Sequence, residues 1–354
     1  MKAELTAEDA LRLNVLLAGE VHAVRIDEGA MTLYALTPKG EARIGLHPNC
    51  RPDLYAMRVR ELLGGHALGS PGGYPVHLRR WTRTGHANPK NLAALLKLGE
   101  PEAVTAVALA STLDDELARR AWWALPTMET ARYMLGHEAV RRGTMGKVLA
   151  DFLIEHLAFE EDPIQAMNSI RAVIAADLLD AAAGEQLWAK ARRRPHYLIG
   201  FLEHRPDTLP AAPERAVPAA VQARALAGDP WAALLERCRA PSGQSFLAAA
   251  ELALEKPPAH EAVYLLLDIL GGYFSALRGL EPPADLADLA GPGDPTDDWR
   301  GEIEAMAALS RVSNAAAVPI LTRTTAVGPL MRRHLEPLFL PILGHIRVLR
   351  GVAS

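Results

Sequence analysis

From Pro89 to the end of the chain, apolar residues recur at the three- and four-residue spacing of an α-helix. The segment 145–157 shows it most clearly, because its apolar positions follow i, i+3, i+4 and i+7 spacing throughout. Segments 164–179 and 263–277 repeat this behaviour. The composition agrees: 49% of the residues are hydrophobic but only 5% are aromatic, so small helix-favouring side chains must fill the core. The sequence therefore predicts a mainly α protein, and its 354 residues are enough for two domains.

Pairs of an acidic residue and proline mark several predicted helix starts. Glu100, Asp162, Asp229 and Asp294 each precede a proline, which is the pattern of an N-cap followed by the first helical position. Helices of about 10 to 16 residues with short connections predict a HEAT-like stack of antiparallel helix pairs. In the last stretch, 335–349, we expect Pro337 in the first turn and a kink or restart at Pro341.

The N-terminal residues follow a different pattern. Thr6, followed by two acids, predicts the N-cap of a first helix. The runs 21–26 and 31–36 alternate and predict an antiparallel hairpin, with a third strand at 41–46. The segment 53–63 predicts a second helix. This region is a small α+β unit.

These patterns predict a domain boundary at residue 85. Residues 1–85 form the α+β domain with antiparallel strands, and residues 86–354 form the helical repeat-like domain. Segment 74–81 alternates and could add a fourth, edge strand to the first domain. Segment 281–298 holds six acids, four prolines and no base, which is typical of a mobile acidic loop.

Composition also limits the compartment and the ligands. A net charge of −4 gives no global attraction to nucleic acid or to an anionic membrane. Two cysteines cannot build a disulfide framework or a four-ligand zinc site, and they fit a reducing compartment. The most apolar run, 262–274, is shorter than the roughly 20 residues that a membrane span needs. We expect a cytoplasmic protein without a membrane span, a bound metal or a cofactor.

The glycine-rich stretch before the helices offers a weak candidate anion site at Gly69, Ser70, Gly72 and Gly73. Consecutive backbone N–H groups in such turns can converge on a phosphate or sulfate. A tight turn that needs positive φ explains the same glycines, and the stretch lacks the ending of a P-loop.

A basic ribbon follows, and its members are His77, Arg79, Arg80, Trp81 and Arg83. Exposed Arg and Trp are frequent interface anchors, so we predict that this ribbon is the principal partner-binding surface. Its extension to residue 90 leaves RNA binding as an alternative, with Trp81 stacking on a base. A solvated edge strand is the structural explanation of the same residues.

Cys50 lies between His47 and Arg51, and neighbouring cations would favour the thiolate that a sulfur carrier needs. A lone cysteine in a turn is more often inert, and Cys238 is expected to pack in a helix. Trp122 and its neighbour are expected to pack between helices. The histidines show no metal-ligand spacing.

Four stretches together resemble the DsrS family, soluble proteins encoded in the gene clusters for dissimilatory sulfite reductase of sulfur-oxidising bacteria. They are LTAEDALRLNVLLA at 5–18, VRIDEGAMTLYALTPKGEA at 24–42, VRELLGGHALGSPGGYPVHLRRWTR at 59–83, and LLKLGEPEAV with ELARRAWWA within 95–124. The resemblance runs along the chain and is strongest over its first 125 residues. It implies an accessory or regulatory role in the oxidation of stored sulfur, and it supplies no catalytic residues.

The functional prediction is therefore a non-enzymatic interaction or regulatory protein of the Dsr pathway, with sulfur-oxidation proteins as partners. Extended helical stacks offer large surfaces to partners and lack the deep concave site that chemistry usually needs. A Cys50-dependent sulfur carrier or enzyme and an RNA-binding regulator are the alternatives.

Overall fold

The computed structural model describes residues 4–69, 89–210, 212–283 and 299–352. It is mainly helical, with a small three-stranded antiparallel sheet near the N-terminus, so the predicted fold class is confirmed. The chain divides into two compact units, Met1–His156 and Leu157–Ser354. The boundary that we predict at residue 85 lies outside the described residues, as do the possible fourth strand at 74–81 and most of the acidic segment 281–298.

The first unit contains the sheet and eight of the described helices. Its elements are α1 (Ala7–Leu17), β1 (Ala23–Asp27), β2 (Thr32–Thr37), β3 (Gly40–Gly45), α2 (Pro52–Leu68), α3 (Pro89–Leu95), α4 (Pro101–Ala108), α5 (Asp115–Ala124), α6 (Met128–Leu135), α7 (Glu138–Arg141) and α8 (Thr144–His156).

The sheet has the order β1-β2-β3, and both pairs are antiparallel. Its inner face carries small and branched side chains such as Val24, Leu33 and Ala35, which form one core with Leu13 of α1 and Val59 of α2. Alternation in the sequence produces this arrangement, because successive side chains of a strand point to opposite faces. The hairpin predicted from alternation is confirmed.

A buried carboxylate ties α1 to the segment that leads into α2. Asp9 is fully buried and accepts hydrogen bonds from the Tyr55 hydroxyl (2.6 Å) and the His47 backbone N–H (2.6 Å), and His47 Nδ1 lies 3.0 Å from it. Burial by itself raises the pKa of Asp9, but these hydrogen bonds outweigh it and hold the pKa below its usual value. Asp9 therefore stays ionised and fixes the N-terminal end of α1.

The second unit is helical throughout its described part. Its elements are α9 (Pro163–Ala176), α10 (Ala181–Ala191), α11 (Leu198–His204), α12 (Ala219–Leu226), α13 (Pro230–Arg239), α14 (Pro241–Glu255), α15 (His260–Tyr273), α16 (Trp299–Ser310), α17 (Val318–Leu321) and α18 (Gly328–Arg350), with short 3-10 turns at Leu157–Phe159, Pro195–Tyr197, Ser275–Leu277 and Asn314–Ala316. In the described ranges, no helix is both long enough and apolar enough to cross a membrane.

Helix caps agree with the local sequence signals. Thr6 caps α1, and Asp162 and Asp229 accept backbone hydrogen bonds at the starts of α9 and α13. Glu100 occupies the N-cap position of α4 but makes no side-chain cap bond. Asp294 lies outside the described residues.

The C-terminal helix differs from the prediction. The sequence predicts a helix at 335–349 with Pro337 in its first turn and a kink or restart at Pro341, but α18 begins at Gly328 and continues through both prolines without a restart. Each proline lacks a backbone N–H, so each removes only one hydrogen bond from the backbone of the helix. Seven buried apolar residues of α18 pack into the core and hold the helix in one piece, namely Met331, Leu335, Phe339, Ile342, Leu343, Ile346 and Leu349.

Candidate partner-binding site

The outer face of the sheet carries one row of polar and aromatic side chains across all three strands. The strand register pairs Arg25 with Tyr34 and Tyr34 with Arg43. Paired residues point to the same face of a sheet, so the three side chains lie side by side. Each guanidinium lies over the Tyr34 ring, with its carbon 4.8 Å from the ring centroid for Arg25 and 5.8 Å for Arg43.

Helix α5 places Trp123 on the other side of Arg25. The Arg25 guanidinium carbon lies 4.9 Å from the Trp123 ring centroid, so the guanidinium lies within cation–π range of two aromatic rings. Glu41 links the partners, because its Oε2 lies 3.0 Å from Arg25 Nη2 and accepts a hydrogen bond from Trp123 Nε1 at 3.1 Å. We call the set Arg25, Tyr34, Glu41, Arg43 and Trp123 the Arg25 cluster.

A recess of about 310 Å³ opens beside the Arg25 cluster, along the edge of β1. Its apolar lining includes Ile26, Pro101 and Leu125, and its polar lining includes Arg25 and Asp27. The Arg25 Nε is buried and has no hydrogen-bond partner. The recess therefore combines an apolar lining with two charged side chains, Arg25 and Asp27. Stacking and the bond to Glu41 fix the position of the Arg25 guanidinium.

This arrangement is suited to holding a partner protein. Arg, Tyr and Trp are the side chains enriched at the energetic centres of protein interfaces. Here they are partly exposed, and stacking and the Glu41 bonds restrict their rotamers before any partner arrives. Side chains that are already ordered lose less entropy on binding. An apolar side chain of a partner could bind in the neighbouring recess, which is already formed.

The side chains on either side of Cys50 make their polar contacts with other residues. Its Sγ lies 3.6 Å from the Arg51 carbonyl oxygen, and the side chain packs, half-buried, against the N-terminal core. Both neighbouring basic side chains have carboxylate partners: Arg51 bonds to Asp53 through two nitrogens (2.7 and 3.2 Å), and His47 bonds to Asp9. The two side chains that the sequence places beside this thiol are therefore bonded to other residues.

Most of the predicted site residues lie outside the described part of the chain. These are the whole basic ribbon, His77, Arg79, Arg80, Trp81 and Arg83, and the anion-site members Ser70, Gly72 and Gly73. Gly69 is described: it ends α2 with φ of 67°, in the left-handed conformation that glycine favours. The structural explanation of this glycine, a turn with positive φ, accounts for its position.

The remaining candidates have packing roles. Cys238 is fully buried, and burial raises the pKa of its thiol far above the usual value. Trp122 packs edge-on against Phe152, with ring centroids 4.7 Å apart. Within the described ranges, no group of His, Cys, Asp and Glu could hold a metal ion.

Sequence reasoning missed the Arg25 cluster. It assigned Trp123 to packing between helices, whereas the ring lies against Arg25 on the sheet. The strand signal was available, since Arg25, Tyr34 and Arg43 all occupy outward positions of alternating runs. The contribution of α5, about 80 residues further along the chain, follows from tertiary packing and has no local signal.

No family model, no curated protein and no solved structure matches the sequence. The resemblance to the DsrS family therefore stays a prediction that rests on the quoted segments.

Proposed function

We propose that this protein is a non-enzymatic accessory protein that binds protein partners of the Dsr system for oxidation of stored sulfur in the cytoplasm. The observation that carries the partner-binding part is the Arg25 cluster, in which Arg25 lies between two aromatic rings beside an apolar recess. The sequence resemblance supplies the pathway. The predicted ribbon at 77–83 stays part of this proposal as a further contact region.

The test is affinity capture, with the tagged protein as bait, from cells that are oxidising stored sulfur. Three baits are compared: wild type, Tyr34→Ala with Trp123→Ala, and the control Leu226→Ala, which removes a side chain that is 90% exposed in the second unit. Thermal melts of the three purified baits establish that each is folded.

Proteins of the sulfite reductase gene cluster should be enriched with wild type and with the control, and reduced at least tenfold with the double variant. Truncation of two interface anchors, each worth roughly 2 kcal/mol, more than accounts for such a loss. Equal capture by a folded double variant would remove the Arg25 cluster from the proposal. If the wild type enriches no protein of the sulfite reductase gene cluster, the Dsr pathway is removed from the proposal.

The sulfur-carrier alternative requires the Cys50 thiol and is tested separately. We expect Cys50→Ser to leave sulfur oxidation in cells unchanged, because the neighbouring His47 and Arg51 side chains are both bonded to carboxylates. A persulfide on Cys50, found by mass spectrometry of the protein from those cells, would favour the carrier instead.

A further inference from the structure

The C-terminal helix α18 has apolar side chains on two faces. One face packs into the core of the second unit. On the opposite face lie Leu330, Pro337, Leu340, Pro341 and Gly344. Because each residue turns the helix by 100°, these five positions lie on the same side of it. Leu330 is 55% and Leu340 58% exposed, and both prolines are exposed. A surface helix normally presents polar residues on this side.

A groove of about 350 Å³ runs along this stripe, between α18 and the end of α14. Leu254, Phe339 and Leu343 contribute buried apolar side chains to it, and exposed Leu340 belongs to both the groove and the stripe. At position 344 the helix is open, because a Cβ added to Gly344 would meet no atom within 4 Å. The stripe, which exposed Arg333 interrupts, meets the groove at Leu340, and we call the two together the α18 strip.

The groove of the α18 strip is lined by three arginines, Arg332, Arg333 and Arg347, and by two acids, Glu255 and Glu336. Helix α18 holds four arginines and one acid, Glu336, in a chain whose net charge is −4. Arg332 and Arg333 line the groove and make no ion pair with any described residue. Arg347 and Arg350 share a single carboxylate, that of Glu251.

We propose that the α18 strip binds an acidic amphipathic helix of another protein. The leucine stripe of such a helix would fill the groove, as in other helix-in-groove complexes, and its flanking carboxylates would pair with Arg332 and Arg333. This surface belongs to the second unit and does not depend on the Arg25 cluster.

A second copy of this chain fits the strip less well. A two-fold pair of α18 helices centred on Leu340 would bring Arg333 opposite Arg347 of the other copy, since both lie seven residues from the centre. Like charges placed face to face oppose association. Charge complementarity therefore favours an acidic partner over self-association.

The test uses purified protein and two synthetic helical peptides. Both peptides carry one leucine stripe, flanked by glutamates in the first and by lysines in the second. Fluorescence anisotropy measures their binding to wild type, to Leu340→Asp, and to the double variant Arg332→Glu with Arg333→Glu. The control is Arg192→Glu with Arg193→Glu, which reverses two exposed charges at the end of α10 in the same unit.

Wild type and the control should bind the acidic peptide at least about tenfold more tightly than the basic one, a preference worth about 1.4 kcal/mol. The double variant at 332 and 333 should reverse this preference, and Leu340→Asp should lose both peptides. Circular dichroism establishes that each variant is folded.

Three results would overturn the proposal. Equal affinity for the two peptides would show that Arg332 and Arg333 do not discriminate between an acidic and a basic helix. A dimer of wild type that Leu340→Asp abolishes, seen by analytical ultracentrifugation, would assign the strip to a second copy. Sedimentation with anionic phosphatidylserine vesicles that depends on Leu340, without peptide binding, would assign it to a membrane surface.

Discussion

Glu302 is fully buried in the second unit, where two arginines neutralise it. Arg239 bonds to its two oxygens at 2.9 and 2.7 Å, and Arg215 Nη1 lies 2.8 Å from Oε1. Arg239 also stacks on the Trp299 ring, with its guanidinium carbon 3.6 Å from the centroid. These contacts join α16 to α13 and to the segment before α12, both of which lie much earlier in the chain.

Removal of this carboxylate should take away the buried acceptor that the two guanidinium groups share. We expect Glu302→Leu to lower the free energy of unfolding by roughly 3–5 kcal/mol, as for other broken buried ion pairs. Glu304→Leu is the matched control, because Glu304 is exposed on the same helix and should change stability by less than about 0.5 kcal/mol. Urea denaturation measures both. Similar losses for the two variants would contradict the structural role of Glu302.

His196 should make the second unit less stable in mild acid. Burial, with the nearby charge of Arg194, lowers the pKa of His196 from 6.5 to about 4. The unfolded chain therefore takes up a proton at this residue before the folded chain does. The stability that neutral His196 contributes is complete above pH 6.5 and is lost as the pH falls towards 4.

Denaturation curves at several pH values between 4 and 7 test this expectation for wild type and His196→Gln. The variant should show a shallower fall in stability across that range. An unchanged pH dependence would show that His196 does not remain neutral in the folded protein.

At this residue scale, short-range features were predictable and long-range ones were not. The Thr6, Asp162 and Asp229 caps depend on groups two or three residues away, so the sequence indicated them. The bond between Asp9 and Tyr55 joins residues 46 positions apart, and the sequence pattern at Asp9 indicated only a favourable charge in the first turn of a helix. Long-range partners are set by packing of whole elements.

At the scale of elements, periodicity predicted whether a segment is a helix or a strand better than it predicted where the element begins and ends. The hairpin formed where alternation indicated, and helix 145–157 corresponds to α8 within one residue at each end. Helix α18 is longer than the predicted 335–349, because Pro337 predicts a first turn and Pro341 a kink or restart, whereas seven buried apolar residues hold the helix together across both prolines. Tertiary packing outweighed local propensity there.

Because α18 is continuous, its prolines should cost stability. Pro341→Ala restores a backbone N–H inside the helix and should raise the free energy of unfolding by roughly 1–3 kcal/mol. Gly344→Ala, whose new methyl group meets open space, should add about 0.5–1 kcal/mol. Thermal melts of the two variants measure both gains. A lower melting temperature for Pro341→Ala would show that proline is required at that position.

At the scale of the whole molecule, each compact unit presents one surface that suits a partner. The first carries the Arg25 cluster on its sheet, and the second carries the α18 strip. Composition and periodicity predicted the architecture, since a large store of Leu, Ala and Val must be buried in helices. They did not predict the surfaces, because binding anchors and packing residues are the same residue types until the fold shows which ones are exposed.

A partner protein that binds the Arg25 cluster should lie within crosslinking distance of the outer face of β3. A photo-crosslinking phenylalanine analogue is placed at position 45, which is exposed on the same face of β3 as the Arg25 cluster but is not a member of it, and in a control protein at position 226. Irradiation of cells that are oxidising stored sulfur should then join position 45, and not position 226, to a protein of the sulfite reductase gene cluster. If both proteins are folded and position 45 gives no crosslink beyond those of the control, partner binding at the Arg25 cluster is contradicted.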